Sequence, residues 1–241
     1  MCSAGAPRPA PLWLGPVRAC AKVSSVHVGI LGGTGPLGRG LAVRLAAAGL
    51  TVTVGSRDAG RAREIAAGIA SAWPDRTLRV QGAANAEAAA CDLVVMATPW
   101  DAADPTVRAV AGELEGTVVV SVANALVKQG RELHALVPAR GSVAAVVQAA
   151  APGALVAAAC HHLPASTLAD LDVPLDADVL VCSDHLEATT ATMELLGRIE
   201  GLRPLDAGSL ASAGPVEAFT AVLVTLNLRY KAHATLRLGG L

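Results

Sequence analysis

A glycine-rich turn between an apolar run and a helical pattern constrains this chain more than any other feature. Residues 29–40 read GILGGTGPLGRG and contain six glycines. The residues before the turn, Val26–Leu31 (VHVGIL), form an apolar run typical of a buried parallel strand. After the turn, Gly49 can end a helix whose apolar residues recur at helical spacing, namely Leu37, Leu41, Leu45 and Ala48.

The turn contains a G-x-G-x-x-G motif formed by Gly33, Gly35 and Gly38. In dinucleotide-binding folds the first glycine permits the tight turn, the second lets a pyrophosphate approach the backbone, and the third lets the helix pack on the strand. The helix N-terminus offers free N–H groups and a partial positive charge to the phosphates. Because a second strand pattern, LTVTVGS, follows the helix, we predict a dinucleotide site rather than a glycine-rich turn of an unrelated α/β protein.

The end of the second strand indicates which dinucleotide is bound. NAD-binding versions place an acidic residue there for the ribose 2′-OH, whereas this strand ends in the sequence VGSR, residues 54–57. Ser56 can donate to a 2′-phosphate, and Arg57 and Arg61 can pair with it. Asp58 is expected to cap the following helix instead. The pattern favours NADP over NAD, the alternative being that both arginines form only a solvated face.

The remaining pattern predicts a Rossmann-type doubly wound parallel sheet with a small C-terminal α/β lobe. We predict strands over residues 93–97, 117–122 and 155–159 and in ADVLVCSD, a helix over 189–200, and a turn over 203–208. A last helix is predicted to have one apolar face, which packs against either the core or a subunit interface. This face consists of Val216, Phe219, Leu223, Leu226 and Tyr230. The basic end of this helix either complements the helix dipole or forms an anion site. The basic residues there are Arg229, Lys231, His233 and Arg237.

Few side chains near the predicted crevice could act as a general acid or base. Trp100 follows a strand end and covers the nicotinamide ribose or lies in the core. His161 and His162 are neighbours at another strand end, where side chains point to opposite faces, so a pocket role is favoured over a metal site. The chain has one tyrosine and no Ser-Tyr-Lys set. We therefore predict no catalytic acid or base and no metal, as suits a substrate that is itself a hydride carrier.

Composition excludes several classes of function. The net charge of -1 and the aromatic content of 2% give no sign of a nucleic-acid partner or an anionic membrane surface. We identify no apolar run of roughly 18 residues free of charges, proline and glycine, so no membrane span is predicted. Five cysteines without metal or redox spacing fit a reduced, cytoplasmic compartment. Residues 1–23 are expected to be a disordered extension, because prolines break any signal-peptide core.

Six separated blocks resemble one known family. They are VGILGGTGPLGRGLAVRLAAAG, VGSRDAGRA, VVMATPWDA, HHLPA, VCSD and EGLRPLDAGSLASAGPVEAFTAVLVTLN. Together they resemble NADPH-dependent reductases of the deazaflavin coenzyme F420. The resemblance implies hydride exchange between NADP(H) and F420, with both coenzymes as small-molecule partners.

The resemblance also implies positions for the two coenzymes. The phosphate loop falls on Thr34, Gly35, Pro36 and Leu37, the 2′-phosphate site on Ser56, Arg57 and Arg61, and the nicotinamide side on Pro99, Trp100 and Ala165. The deazaflavin pocket falls on His161, Leu163, Pro164, Leu210 and Leu236. Three residues depart from the family pattern: Pro36 stands where members can carry Asn, Ala102 near a site that can carry His, and Cys160 in place of a bulkier residue.

These observations lead to a set of expectations. Residues 24–160 should form the NADP-binding domain, and residues 161–241 a lobe that completes the deazaflavin pocket. The protein should be a homodimer or a higher homo-oligomer. The alternatives are an NADP-dependent imine- or pyrroline-type reductase, which shares the nucleotide domain, and a non-catalytic NADP(H) sensor. A sensor would have no reason to keep the HHLPA and GLRPLDAG blocks.

Overall fold

The computed structural model describes residues 26–130 and 132–241 and shows a layered α/β chain. The strands are β1 His27–Leu31, β2 Thr51–Ser56, β3 Val80–Ala84, β4 Leu93–Met96, β5 Val118–Ser121, β6 Leu126–Gln129, β7 Glu132–Ala135, β8 Leu155–Ala158, β9 Ala177–Ser183 and β10 Leu202–Asp206. The helices are α1 Pro36–Ala47, α2 Ala59–Ala72, α3 Asn85–Ala89, α4 Trp100–Arg108, α5 Val143–Ala150, α6 Ala165–Ala169, α7 Leu186–Gly197 and α8 Ala213–Tyr230.

Eight of these strands form one sheet in the order β10-β9-β8-β5-β4-β1-β2-β3. In this sheet the six neighbouring strands β3, β2, β1, β4, β5 and β8 are all parallel. The strand β9 runs antiparallel to β8, and β10 runs parallel to β9. The hairpin of β6 and β7 forms a separate antiparallel pair. The order of the strands reverses at β1, since β2 and β3 lie on one side of it and β4 and β5 on the other. In such sheets ligands bind at this switch point, at the carboxyl ends of the strands.

Helices cover both faces of the sheet, so the strands are apolar on both sides. One buried layer joins α1, α2, α6 and α7 to strand residues such as Ile30, Val54 and Val179. The other joins α3, α4, α5 and the start of α8 to residues such as Leu31 and Met96. The neighbouring residues Ile30 and Leu31 thus belong to opposite layers, as strand alternation requires.

Most predicted elements are confirmed, with one clear error. The predicted strands correspond to β1, β2, β4, β5, β8 and β9, and the helix predicted from residue 189 begins three residues earlier, at Leu186. The turn predicted over residues 203–208 is wrong, because residues Leu202–Asp206 form β10 and pair in parallel with β9. Pro204 does not prevent this, since β10 is an edge strand and proline is tolerated there.

The expected domain boundary falls where the chain leaves β8 and enters the segment before α6. The sheet continues across that boundary, since β8 pairs with β9. The expected extension over residues 1–23 lies outside the described residues.

The last helix meets a length and composition test for membrane spans. Residues Leu210–Tyr230, with the short 3-10 turn that precedes α8, are long and apolar enough to cross a membrane by those two criteria alone. The helices of soluble proteins also meet these criteria. In this fold α8 carries a buried carboxylate, Glu217, whose oxygens accept from the amides of Val143 and Ala144 in α5.

Candidate functional site

The glycine loop has one residue in the left-handed conformation and one position with open space around it. The left-handed residue is Gly32, with φ of +65°, and not one of the three motif glycines. Gly38 packs against Gly33, since a Cβ on Gly38 would lie 2.7 Å from the Gly33 Cα. A Cβ on Gly35 would meet nothing closer than the Gly32 carbonyl oxygen, at 3.8 Å. The fold itself therefore does not require glycine at position 35, and the space before it is free for a ligand.

The N-terminus of α1 faces that space. No side chain caps this end of the helix, and Pro36 occupies its first turn. Proline is suited to this position, where an N–H would lack an intrahelical partner. Arg39 steadies the loop from the helix side, because its Nε donates to the Thr34 carbonyl oxygen at 2.8 Å. The uncapped amides of the first turn can receive an anion.

Two further residues support the loop, and sequence reasoning did not identify them. The Asn85 Oδ1 accepts from the Gly32 amide at 3.3 Å, and Asn85 follows the end of β3. Thr98, just after β4, lies so close that a Cβ on Gly32 would approach its Cγ2 to 2.5 Å. A polar residue directly after a predicted strand would have been the signal for Asn85, but β3 was not predicted.

The predicted 2′-phosphate residues lie together at the end of β2. Ser56 is its last residue, and its Oγ accepts from the Asp58 amide at 3.2 Å. The Asp58 carboxylate accepts from the amides of Gly60 and Arg61, so its predicted role as the cap of α2 is confirmed. Arg57 and Arg61 are exposed, and neither forms an ion pair with residues 26–130 or 132–241. Two unpaired cations therefore flank a hydroxyl at this strand end.

Two of the three predicted nicotinamide residues follow β4. Pro99 is the cap residue of α4 and Trp100 its first residue. The amide of Ala97 donates to the Leu31 carbonyl, which holds this segment beside β1. Trp100 is 37% exposed, so the alternative of a core tryptophan is excluded.

His161 lies in a tight turn after β8, and its environment is unusual. Cys160 before it has φ of +63°, a conformation uncommon for a residue with a side chain. Both ring nitrogens of His161 are buried, and neither has a hydrogen-bond partner in the described part of the chain. Burial, with a smaller contribution from His162, lowers the pKa of His161 to about 3. The imidazole is therefore neutral at physiological pH, and its unpartnered nitrogens require an explanation.

The neighbouring side chains have structural roles. The His162 Nε2 is 2.8 Å from the Val216 carbonyl oxygen and therefore donates to it. Its ring also meets the Phe219 ring edge-on, with centroids 5.5 Å apart. Burial raises the pKa of the Cys160 thiol to about 12, so it is not a nucleophile. Within residues 26–130 and 132–241, no group of three or more His, Cys, Asp or Glu side chains could hold a metal ion.

Three of the five predicted deazaflavin residues line one of two clefts. The first is a closed cleft without room for a water molecule, and it is lined by Cys160, His161, His162, Leu163, Asp178, Val179, Leu180 and Val216. Typical ligand pockets enclose roughly 300–1,000 Å³, so a ring system would contact this cleft only at its rim. Leu210 lines a second cleft of about 210 Å³ beside Ser142 and Asp184. Leu236 does not line the first cleft, and its carbonyl oxygen accepts from the amide of the lining residue Asp178 at 2.8 Å.

The residues that follow His161 lead into α6, and two side chains hold its backbone. Pro164 is the cap residue of α6, and Ala165 is the first residue of that helix. The Asn124 side chain, beyond the end of β5, and the Thr220 hydroxyl both donate to the His161 carbonyl oxygen. The turn that carries His161 is therefore held from two sides, by the end of β5 and by α8.

Two of the four basic residues considered for an anion site at the end of the chain are held in ion pairs. Arg229 pairs with Glu132, and Arg237 pairs with Asp176 and Asp178. Asp178 is fully buried, and Arg203 donates to both of its carboxylate oxygens at 2.7 Å. These hydrogen bonds hold the pKa of Asp178 well below its ordinary value. The GLRPLDAG block thus contributes an arginine that anchors the C-terminal segment.

Comparisons with known proteins agree with this geometry. The family model described as NADP oxidoreductase coenzyme F420-dependent matches residues 27–125. The chain is 34% identical over 215 residues to the F420-dependent NADP reductase of Methanocaldococcus jannaschii, covering 87% of this chain and 96% of that protein. It is 35% identical over 209 residues to the enzyme of the same name from Methanothermobacter marburgensis, covering 85% of this chain and 93% of that protein.

A solved structure shares the whole fold. It comes from Arthrobacter sp. FB24 and is assigned as an F420-dependent NADP reductase. The two chains superpose with a TM-score of 0.76 at 26% identity, over 89% of this chain and all of the other. The likeness therefore extends through β9, β10 and α8 as well as the nucleotide-binding half.

Proposed function

This chain belongs to the family of F420-dependent NADP reductases, and we propose that it catalyses reversible hydride transfer between NADP(H) and coenzyme F420. Reduced F420 and NADP+ give oxidised F420, NADPH and a proton. The alternatives, an imine- or pyrroline-type reductase and a non-catalytic NADP(H) sensor, are less well supported. Relatives at 33–35% identity are F420-dependent NADP reductases, and the unpartnered ring nitrogens of His161 offer hydrogen-bonding groups to a second ring system.

The observation that carries this proposal is the buried, unpartnered imidazole of His161. A neutral imidazole offers one N–H donor and one acceptor nitrogen. Such groups rarely stay unsatisfied in a folded protein, and a ring with carbonyl and N–H groups would satisfy both. We infer that His161, with Leu163, Pro164 and the Leu236 backbone, holds the edge of the deazaflavin. Leu210 lies on a separate cleft and is the weakest of these assignments.

The NADP(H) side fits the residues present. The open space before Gly35 can receive the pyrophosphate, and the uncapped end of α1 can bind it. The loop residues Gly33, Thr34, Pro36, Leu37 and Gly38 would surround it. Ser56, Arg57 and Arg61 would bind the 2′-phosphate, and Pro99, Trp100 and Ala165 would flank the nicotinamide. The two coenzyme rings supply the hydride chemistry when bound, and the chain supplies their relative position.

No side chain is assigned a proton transfer in the hydride step. His161 is neutral because burial lowers its pKa to about 3, and the Cys160 thiol is protonated. We further infer a cytoplasmic homodimer or higher homo-oligomer formed through the exposed apolar side of α8. Residues 24–160 would serve as the NADP domain and residues 161–241 as the lobe that completes the deazaflavin pocket.

The direct test mixes the protein with NADPH and oxidised F420 and follows the visible absorbance of the deazaflavin. We expect bleaching with equimolar oxidation of NADPH. Gly35→Val should abolish both NADPH binding and bleaching while the circular dichroism is kept, because the valine side chain would fill the pyrophosphate position. Gly112→Val is the matched control, since Gly112 is exposed and a Cβ there meets nothing within 4 Å. Bound NADPH without bleaching in the wild-type protein would contradict the proposal.

A further inference from the structure

Arg44 of α1 extends into the C-terminal end of α6. Its Nε donates to the Leu168 carbonyl oxygen at 3.1 Å, and its Nη2 lies 2.8 Å from the Thr167 carbonyl and 2.7 Å from that of Val173. The same nitrogen also contacts the carbonyl of Asp170. The side chain is only 9% exposed. The last carbonyls of a helix lack partners within it, and this guanidinium supplies charged donors to them.

The helix held in this way is short and stands beside the proposed ring site. Residues Ala165–Ala169 make little more than one turn, which is not stable in isolation. It follows Leu163 and Pro164 directly, and Leu163 lines the cleft of His161. The contacts that hold α6 therefore also decide where these residues lie.

The same two helices touch through their backbones. A Cβ on Gly40 of α1 would lie 2.6 Å from the Leu168 Cβ and 3.1 Å from the Ala165 carbonyl oxygen. The N-terminus of α1 is the end that faces the proposed pyrophosphate site. One helix pair therefore connects the phosphate loop to the segment beside the second ring.

We propose that Arg44 is a positioning residue for hydride transfer, an inference that rests on the proposed function. Its guanidinium fixes the segment Leu163–Ala165 to the helix that carries the phosphate loop, and so sets the separation of the two coenzyme rings. Efficient transfer requires reacting atoms roughly 3–3.5 Å apart, and a displacement of about 1 Å can lower the rate by about 100-fold. Arg44 itself touches neither coenzyme.

The test compares Arg44→Met and Arg44→Lys with the wild type and with Arg108→Met, a control at an exposed arginine of α4. For Arg44→Met we expect an NADPH dissociation constant within about threefold of the wild-type value, measured by fluorescence. Turnover with F420 should fall about 10- to 100-fold and the KM for F420 should rise. Amide hydrogen exchange over residues 163–173 should become faster. Arg44→Lys should recover part of the turnover, since an ammonium can reach some of the carbonyls, and Arg108→Met should change none of these values.

Three results would overturn the proposal: unchanged turnover, unchanged hydrogen exchange over residues 163–173, or NADPH affinity that falls as much as turnover. If Arg44→Met does not fold, Gly40→Ala makes the same test, because the added methyl group must displace α6 from α1. Failure of the proposed function itself is distinguishable, because the wild-type protein would then transfer no hydride to F420 in the first place.

Discussion

At the scale of single residues, we propose that the exposed arginines after β2 decide the choice of dinucleotide. Arg57→Ala would remove the proposed charge-assisted contact to the 2′-phosphate, and such contacts are worth roughly 1.5–3 kcal/mol. We expect the KM for NADPH to rise about 10- to 100-fold and the KM for NADH to change little. Steady-state kinetics with both nucleotides measures this, and Arg63→Ala, another exposed arginine of α2, is the control. An equal loss for both nucleotides would show that Arg57 does not recognise the 2′-phosphate.

A second prediction at this scale concerns the role of His161. If it only orients the ring, His161→Asn should lower turnover by about tenfold, since a neutral hydrogen bond is worth about 1 kcal/mol. A general acid would cost about 100- to 10,000-fold. Because burial lowers the pKa of His161 to about 3, the wild-type rate should show no titration of this group from about pH 5 to pH 9. A large loss together with a titration that the variant lacks would refute the positioning role.

At the scale of elements, the junction of α5 and α8 carries a buried carboxylate. Glu217 accepts from the amides of Val143 and Ala144 at 2.8 and 3.1 Å. Despite these hydrogen bonds, burial raises the pKa of Glu217 from 4.5 to about 7. Between these two values the folded state binds more protons than the unfolded state, so stability falls as the pH rises.

The buried carboxylate at this junction leads to a prediction about how stability depends on pH. From about pH 5 to pH 8 the free energy of unfolding should fall by at most about 3 kcal/mol through Glu217. The Glu217→Gln variant should lack this component. Urea denaturation of both proteins at four pH values in that range measures it. Parallel profiles for the two proteins would mean that Glu217 does not titrate there.

At the scale of the whole molecule, α8 leaves an apolar surface uncovered. Phe219, Val222, Leu226 and Tyr230 are 41%, 50%, 39% and 75% exposed. They follow helical spacing on one side of α8, and Val127 of β6 is also exposed, at 43%. Of the residues predicted for this face, Leu223 is buried and Val216 packs against the core, whereas Phe219, Leu226 and Tyr230 remain exposed. This exposed part is the surface through which we propose that the chains associate.

Assembly through this surface can be tested directly. Leu226→Glu should shift the protein from dimer or higher oligomer to monomer in sedimentation velocity at micromolar concentration, because a charge buried at an interface is strongly unfavourable. Leu186→Glu is the control, since Leu186 is 77% exposed on α7. A wild-type protein that is already monomeric, or an oligomer that survives Leu226→Glu, would contradict assembly through α8.

The sequence by itself determined the βαβ unit, the position of the glycine-rich loop, the cap of α2 and the expectation of NADP. These depend on glycines, periodic apolar residues and charges within a short window, where local sterics and strand or helix geometry act. Only the tertiary structure decided that residues 202–206 form a strand, because β9 supplies the hydrogen bonds that outweigh the turn preference of Pro204 and Asp206. It likewise decided the pairing of Arg203 with Asp178, the carbonyl contacts of Arg44 and the unpartnered ring of His161. Such contacts join residues far apart in the chain, and their geometry exists only once the sheet and both helical layers have packed.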